Sequence, residues 1–178
     1  MRDNPLAGGG LQSGKKTACL VDIGVQTSTI NIIDKGFLKK SYSFNFNSGQ
    51  LARVMASSLN IDLQKAEEIK NKEGLLYPRP DVAKNLYLLI NPLVIEVKNI
   101  CAEFLQSEKK QVEELYLAGG TANLPGLKEY FAETLKKDVY APNCFTDFLY
   151  PPIMDETLKA MAPGFAAAVG VALGGLET

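Results

Sequence analysis

Three strand-like segments follow one another closely near the start of the sequence, and they constrain the fold more than any other feature. They span residues 17–23, 27–33 and 37–46. The second segment places threonine and asparagine on one face and mostly apolar side chains on the other, which is the period-2 pattern of a strand. The sequence Asp-Lys-Gly at residues 34–36 predicts a tight turn into the third strand. The pattern predicts an antiparallel three-stranded meander.

The rest of the chain predicts mostly helices, with two further strands. The predicted helices are 49–59, 62–72, 81–106, 124–137 and 156–173, and the predicted strands are 114–118 and, at a sheet edge, 138–142. Pro92 lies inside the third helix, where a proline predicts a kink or a break into two helices. A meander followed by helices, a lone strand and more helices predicts an α/β fold with a mixed sheet.

Composition excludes several classes of function. The net charge is −1, so no basic surface favours nucleic acid or an anionic membrane as a partner. The chain has no histidine, which excludes histidine catalysis and histidine metal ligation. Its three cysteines, Cys19, Cys101 and Cys144, form no Cys-x-x-Cys pair. Two of them lie in apolar runs, where reduced and buried thiols are usual, so a cytoplasmic location is expected.

Residues 1–16 lack periodicity and are predicted to be a flexible leader. Within them, segment 9–16 nearly matches a phosphate-binding P-loop. Lys16, however, stands where that motif needs serine or threonine, and a strand follows where a helix should. The segment is therefore interpreted as part of the leader.

The end of the first strand carries a group of residues suited to a phosphate. Asp22 closes the strand, Gly24 removes a Cβ where a ligand could approach the backbone, and Thr27 and Thr29 follow on one face of the returning strand. Threonine hydroxyls can bond anionic oxygens, and a carboxylate such as that of Asp22 would hold Mg²⁺ through water. The alternative is an ordinary hairpin whose turn needs glycine and whose threonines are good strand formers.

A second glycine site follows strand 114–118. Gly119 and Gly120 end this apolar strand and precede a predicted helix, an arrangement that brings backbone N–H groups and a helix dipole toward a ligand. The alternative is an ordinary strand–helix connection, in which the glycines serve the turn and bind no ligand. Each site alone is a weak signal, but the two in this order are a stronger one.

The two motifs, VDIGVQTSTINIID and LYLAGGTANLPGL, together resemble the second half of proteins of the actin-like ATPase superfamily. Within it, the sequence is most similar to the PilM family of type IV pilus assembly proteins, with FtsA more distant. Three further segments carry this similarity: SGQLARVMASSLNIDLQKAEEIKNKEG, EFLQSEKKQVEELYLAGGTANLPGL and APGFAAAVGVAL. The resemblance covers about residues 17–173.

The resemblance implies an α/β fold: half of an actin-like, ribonuclease H-like ATPase, with an antiparallel β-meander in a mixed sheet flanked by helices. Residues 17–178 would be the C-terminal half of such a protein. Its 2A core would comprise about 17–60 and 112–173, and a 2B-like helical insertion about 61–111.

The resemblance also implies ATP and Mg²⁺ as ligands and assigns nine residues to them. The β- and γ-phosphates and Mg²⁺ would be lined by Asp22, Gly24, Thr27 and Thr29, the ribose and adenine by Glu67 and Lys70, and the adenosine and α-phosphate by Gly119, Gly120 and Thr121. Glu67 and Lys70 also fit an ordinary exposed helix pair. Family members often carry glycine where this chain has Thr121, whose Cβ could crowd the nucleotide.

The implied function is an ATP-binding component of the type IV pilus inner-membrane platform, cytoplasmic and peripheral to the membrane through its partners. A PilN-like protein is the implied partner, with its groove in the half that this sequence lacks. The missing half would also meet the small-residue face of helix 156–173, and self-association of the chain is the alternative to binding that half. An autonomous ATPase is not expected, because no histidine and no glutamate in either motif could activate water.

Two other functions compete with this interpretation. The first is a nucleotide-independent scaffold of the same fold, which the half-length chain and Thr121 favour. The second is a sugar-kinase-like enzyme, which would need a catalytic acid and a sugar pocket from the missing half and ranks last.

Overall fold

A computed structural model describes residues 16–146 and 148–174 of the 178-residue chain. Its strands are β1 (Thr17–Ile23), β2 (Ser28–Asp34), β3 (Phe37–Phe44), β4 (Glu114–Ala118) and β5 (Asp138–Tyr140). Its helices are α1 (Gly49–Leu59), α2 (Leu63–Glu73), α3 (Pro80–Glu108), α4 (Leu127–Leu135) and α5 (Asp155–Gly174), with 3-10 turns at Gly74–Leu76 and Pro152–Met154. The predicted leader, apart from Lys16, lies outside the described residues.

The five strands form one mixed sheet in the order β3-β2-β1-β4-β5. Strands β1, β2 and β3 pair antiparallel, which confirms the predicted meander, and β4 and β5 are parallel to β1 and β4. Strand β5 is at the sheet edge, as predicted. Asp22 pairs with Ala118 in the parallel register of β1 and β4. The two glycine motifs, which follow these strands, therefore leave the sheet side by side.

One hydrophobic core joins the sheet to α1, α3 and α4. Its largest fully buried side chains are Ile23, Ile30, Ile32, Leu51, Met55, Leu86, Ile90, Leu93, Phe104, Leu115, Leu117 and Phe131. Burying one such side chain contributes about 1.5–3 kcal/mol. Because β1, β2, β4 and β5 contribute buried residues to this core, and Tyr42 and Phe44 of β3 pack against it, the core fixes the positions of the loops that follow β1 and β4.

Helix α3 runs through Pro92 without a break, so of the two predicted outcomes the break into two helices is wrong. Pro92 is exposed, and so is Leu88, whose carbonyl loses its usual helical partner at a proline four residues later. Water can satisfy that carbonyl. The buried Ile90 and Leu93 hold the helix to the core on both sides of the proline.

Two element boundaries differ from the predicted ones for local reasons. Strand β2 begins at Ser28, because Thr27 belongs to the preceding turn. Helix α4 begins at Leu127 and not at residue 124, because Gly126 has a φ of +82° and precedes the helix in a left-handed conformation.

The described helices include none with both the length and the apolar composition needed to cross a lipid bilayer.

A close backbone contact places α2 against the loop that follows β4. Gly74 ends α2 with a φ of +50°, and a Cβ there would lie 2.6 Å from the Pro125 carbonyl oxygen. The neighbouring Leu75 N–H donates a hydrogen bond to that oxygen at 2.9 Å. Only glycine allows this approach, so the position of α2 beside the loop depends on Gly74.

We expect Gly74→Ala to lower the free energy of unfolding by about 2–4 kcal/mol, because it adds a steric overlap to an unfavourable φ. Gly36→Ala is the matched control: its φ is +83°, but a Cβ there meets nothing within 4 Å. That variant should lose only about 1 kcal/mol. Urea unfolding of both variants measures the difference, and equal losses would contradict the proposed close contact.

Candidate functional site

The turn between β1 and β2 is closed by its own backbone. The Gly24 N–H donates to the Thr27 carbonyl at 3.1 Å, and a Cβ on Gly24 would lie 2.6 Å from that oxygen. The Ser48 hydroxyl, just before α1, donates to the Gly24 carbonyl at 3.0 Å. Gly24 is therefore required by the turn itself, whatever the turn binds.

Asp22 is a half-buried carboxylate at the carboxyl end of β1. Among the described residues, no group donates a hydrogen bond to it or forms an ion pair with it. Burial raises the pKa of Asp22 above its ordinary value, because the charged form loses part of its hydration. An ionised carboxylate in this environment gains from a cation.

The two threonines of the hairpin differ in position and in exposure. Thr29 is directly opposite Asp22 in the antiparallel ladder, and its hydroxyl accepts a 3.3 Å hydrogen bond from the Asn31 amide. Thr27 is exposed in the turn. The hairpin therefore presents one carboxylate and two hydroxyls near its tip.

The two glycines after β4 have different structural roles. Gly119 has a φ of +87°, and a Cβ on it would lie 2.5 Å from both Asp22 Oδ1 and the Ile23 carbonyl oxygen. Gly120 has open space, since a Cβ on it would meet nothing within 4 Å. Within the described part of the chain, the N–H groups of Gly120 and Thr121 donate no hydrogen bond. Gly119 thus allows the two motifs to touch, whereas Gly120 leaves room for a ligand.

Helix α5 packs directly on this glycine loop, a contact that the sequence did not predict. The Gly119 N–H donates to the Pro163 carbonyl at 2.8 Å, and the Asn123 side-chain amide donates to the Ala160 carbonyl at 2.5 Å. A Cβ on Gly164 would lie 4.0 Å from the Gly120 Cα. No local pattern in the sequence signals this contact, because it depends on how α5 packs on the sheet.

A small cavity lies between α2 and the glycine loop. Its volume is about 170 Å³, and it is lined by Lys70, Asn71, Gly120, Thr121, Asn123 and Leu124. Pockets that enclose a drug-sized ligand usually measure about 300–1,000 Å³. This cavity can therefore hold only part of a nucleotide-sized molecule.

Of the two candidate residues on α2, Lys70 lines the cavity and Glu67 does not. The Lys70 ammonium is 2.5 Å from the Glu67 carboxylate, and the Lys70 side chain is only 12% exposed. Glu67 therefore orients the lysine at the cavity. Thr121 is buried and lines the same cavity, so its side chain takes up space at the site.

The structure brings the predicted residues into two adjoining groups: the hairpin, which contacts the glycine loop where Asp22 meets Gly119, and the cavity with Lys70. Helix α4 starts at Leu127, three residues after the predicted start at residue 124, so it begins farther from the glycine pair than the sequence predicted. Asn71 and Asn123 line the cavity and were missed. Their only sequence signal was proximity to Lys70 and to the glycine pair.

The residues fit a magnesium ion only if most of its ligands come from elsewhere. The described residues contain no group of three or more Asp, Glu, Cys or His side chains that could hold a metal ion. Mg²⁺ usually keeps several waters and binds one or two carboxylates together with substrate phosphates. Asp22 can supply that single protein contact.

One comparison with known proteins shows the family, and others show the fold. The family model described as "Type IV pilus assembly protein PilM" matches residues 10–176. Among curated proteins, the ethanolamine utilization protein EutJ of Escherichia coli (strain K12) is 28% identical over 116 residues. That match covers 64% of this chain and 37% of EutJ.

Two solved structures show the fold. A chain of the PilM-PilN type IV pilus biogenesis complex has a TM-score of 0.75 and 24% identity, over 94% of this chain and 48% of its own length. MreB5 of Spiroplasma citri bound to AMPPNP has a TM-score of 0.57 and 15% identity, over 91% of this chain and 55% of its own. The fold is thus actin-like, and the chain spans about half or less of each relative.

The opposite electrostatic environments of Asp22 and Asp34 give a testable contrast in stability. Hydrogen bonds from the Lys110 ammonium and the Thr17 hydroxyl lower the pKa of Asp34, whereas burial raises that of Asp22. We expect Asp22→Asn to stabilise the chain slightly at pH 7, because burial disfavours the charged carboxyl and its partial hydration keeps the effect small. This gain should vanish as the pH falls through the raised pKa toward 3.8.

Asp34→Asn should destabilise the chain at pH 7. This loss should shrink only at lower pH, as the pH falls below the ordinary Asp value of 3.8 through the lowered folded-state pKa. Urea unfolding at a series of pH values measures both effects. A destabilised Asp22→Asn variant at pH 7 would mean that this carboxylate has a partner.

Proposed function

Because the chain belongs to the PilM family of type IV pilus assembly proteins, we propose that it is an ATP-binding, actin-like component of the pilus inner-membrane platform. It would be cytoplasmic and peripheral to the membrane through its partners. The observation that supports nucleotide binding is the unpaired, half-buried Asp22 carboxylate next to a glycine loop with open space at Gly120.

The hairpin and the cavity would bind different parts of the nucleotide. The N–H groups and hydroxyls around Thr27 and Thr29 would bond phosphate oxygens, and Asp22 would hold Mg²⁺ through water. The cavity beside Lys70 would take the ribose and base, with Gly120 below the α-phosphate. Mg²⁺ would neutralise phosphate charge that Asp22 would otherwise repel.

The site has the features of one side of a cleft. The cavity is about 170 Å³, and the chain spans 48% of the matched chain of the PilM-PilN complex. We therefore assign residues 17–178 to the C-terminal half of a two-part nucleotide clamp, with a core of 17–60 and 112–173 and a helical insertion of 61–111. Alone, this half should bind weakly, because water replaces the opposing protein contacts.

The outer face of α5 is where the other part of the clamp would pack. Ala168 and Ala172, four residues apart, are exposed, as are Phe165 and Val171, the latter by 79%. Small residues at this spacing permit close helix approach. Apolar surface of this kind on a single helix is typical of an interface. A PilN-like protein would then bind the assembled pair, as the PilM of the solved complex is paired with PilN.

In this proposal the nucleotide sets a conformation and is not turned over rapidly. The sequence has no histidine, and neither motif contains a glutamate that could activate water. Binding energy would thus be used to fix the two parts relative to each other.

A nucleotide-independent scaffold is the second candidate. The exposed apolar face of α5 favours it, because that face is suited to a protein partner whether or not ATP binds. The buried Thr121 side chain in the cavity also favours it.

Calorimetric titration with Mg-ATP, with and without the other half of a PilM-family protein, separates the two candidates. We expect binding at least about tenfold tighter in the mixture than with this chain alone. Asp22→Asn and Gly120→Val should each weaken that binding about tenfold or more, the first by removing the metal contact and the second by filling the open space.

Two controls sharpen this test. Asp81→Asn changes an exposed carboxylate at the start of α3 and should leave ATP binding unchanged. The thermal stability of Gly120→Val should equal that of the unmodified chain, since its side chain enters open space. If neither sample binds Mg-ATP but the two halves still associate, nucleotide binding is refuted and the scaffold function stands.

The α5 interface has its own prediction. Ala168→Glu, on the exposed small-residue stripe, should weaken association with the other half by about tenfold or more, because it buries an unpaired charge. Glu156→Lys, a charge change at the start of the same helix, is the control and should have little effect. Sedimentation velocity of the mixtures measures association, and equal association of both variants would exclude this face as the interface.

A further inference from the structure

The turn between β2 and β3 carries two large apolar side chains that are strongly exposed. Phe37 is 70% exposed and Leu38 is 62% exposed. Phe37 is opposite Asp34 in the antiparallel ladder, and Leu38 is opposite Ile33. Successive residues of a strand point to opposite faces of the sheet. The β2–β3 tip (residues 34–40) therefore exposes apolar surface on both of its faces.

Lysines surround these two side chains. Lys35 precedes them, Lys39 follows them, and every residue from 35 to 39 is exposed. Among the described residues, neither lysine forms an ion pair. Lys110, just after α3, lies beside the tip, because its ammonium is 2.5 Å from the Asp34 carboxylate. The apolar surface of the tip is thus flanked by ammonium groups.

Most carboxylates at this end of the sheet are already bound by a lysine. The ion pairs are Lys110 with Asp34, Lys40 with Glu103 and Lys16 with Glu114. Two exposed carboxylates remain, Glu108 at the end of α3 and Glu113 before β4, and the exposed Lys109 adjoins the first. The tip itself carries three lysines and one carboxylate, which is buried. It is locally basic, although the net charge of the chain is −1.

The tip lies at the end of the sheet opposite the candidate nucleotide site. Asp34 pairs with Thr17 at the start of β1, whereas Asp22 lies five residues further along that strand. At about 3.3 Å per residue, this separates the two sites by about 17 Å. The tip can therefore bind a ligand without touching the nucleotide site.

We propose that the β2–β3 tip inserts into the surface of an anionic phospholipid membrane. Phe37 and Leu38 enter the boundary between head groups and acyl chains, and Lys35 and Lys39 contact the anionic head groups. A flat protein surface would cover only one face of the tip, whereas a lipid interface surrounds both. The inference goes beyond the proposed function, in which partners attach the chain to the membrane.

The size of the tip makes this binding weak and reversible. It contributes two apolar side chains and a few lysines, much less apolar surface than an interfacial helix buries. The lysine contacts weaken as salt screens them, and they require anionic lipid. Direct insertion would thus orient a chain that its partners already hold near the membrane.

The sequence contains no tryptophan, so Phe37→Trp places a single fluorophore at the tip. We expect its emission to shift to the blue with vesicles of phosphatidylcholine and phosphatidylglycerol in equal amounts, and brominated lipid to quench it. The shift should disappear with phosphatidylcholine alone and shrink in about 1 M salt. Leu88→Trp is the matched control, because Leu88 is 61% exposed but lies on α3, and its emission should not shift.

Co-sedimentation of the full chain with the same vesicles tests the two kinds of contact. Phe37→Ser combined with Leu38→Ser should lower the partition coefficient about tenfold or more, because it removes the apolar surface. Lys35→Glu combined with Lys39→Glu should do the same by reversing the local charge. Lys72→Glu combined with Lys128→Glu is the control, since it changes the net charge equally at two exposed lysines elsewhere.

Three results would overturn the proposal. The first is unchanged Phe37→Trp emission in the presence of the anionic vesicles, and the second is equal binding by the two lysine double variants. The third is a blue shift that grows with protein concentration without vesicles, which would mean that the tip binds a second copy of the chain. None of these results depends on Mg-ATP binding, so the proposed function is tested separately.

Discussion

The parallel pairing of β1 with β4 is the contact on which the candidate site depends. It places the end of the meander beside the start of the glycine loop, with Asp22 paired to Ala118. Gly119 then turns away with a positive φ, so close to Asp22 and Ile23 that any side chain would overlap both. Without that register and that glycine, the two motifs would be separate loops.

Main-chain hydrogen bonds hold the glycine loop from two directions. On one side, the Leu75 N–H after α2 donates to the Pro125 carbonyl, and on the other the Gly119 N–H donates to the Pro163 carbonyl of α5. Backbone contacts depend little on side-chain identity, provided that glycine is present where the chains come closest. The loop's position in this chain therefore depends on main-chain geometry more than on particular side chains.

The sequence predicted the parts of the fold that depend on local patterns. The alternation of polar and apolar residues predicted the meander. Apolar runs that end in glycine predicted both loops at the correct places. It could not distinguish Gly119 from Gly120, because their difference lies in what each faces across the fold. The sequence also could not decide whether α3 kinks or breaks at Pro92. That outcome depends on which side of the helix faces water, and the sequence does not show this. The contact of α5 with the loop depends on tertiary packing and has no local pattern.

Asp22 also constrains which form of the nucleotide can bind in the proposed function. A half-buried carboxylate with a raised pKa and no described partner is electrostatically unfavourable for the chain alone. A free phosphate would increase that cost by adding negative charge, whereas a cation would relieve it. The proposed ligand is therefore the Mg-ATP complex and not ATP alone. The relief of this unfavourable charge contributes to binding, so a residue that weakens the isolated fold can strengthen the assembled site.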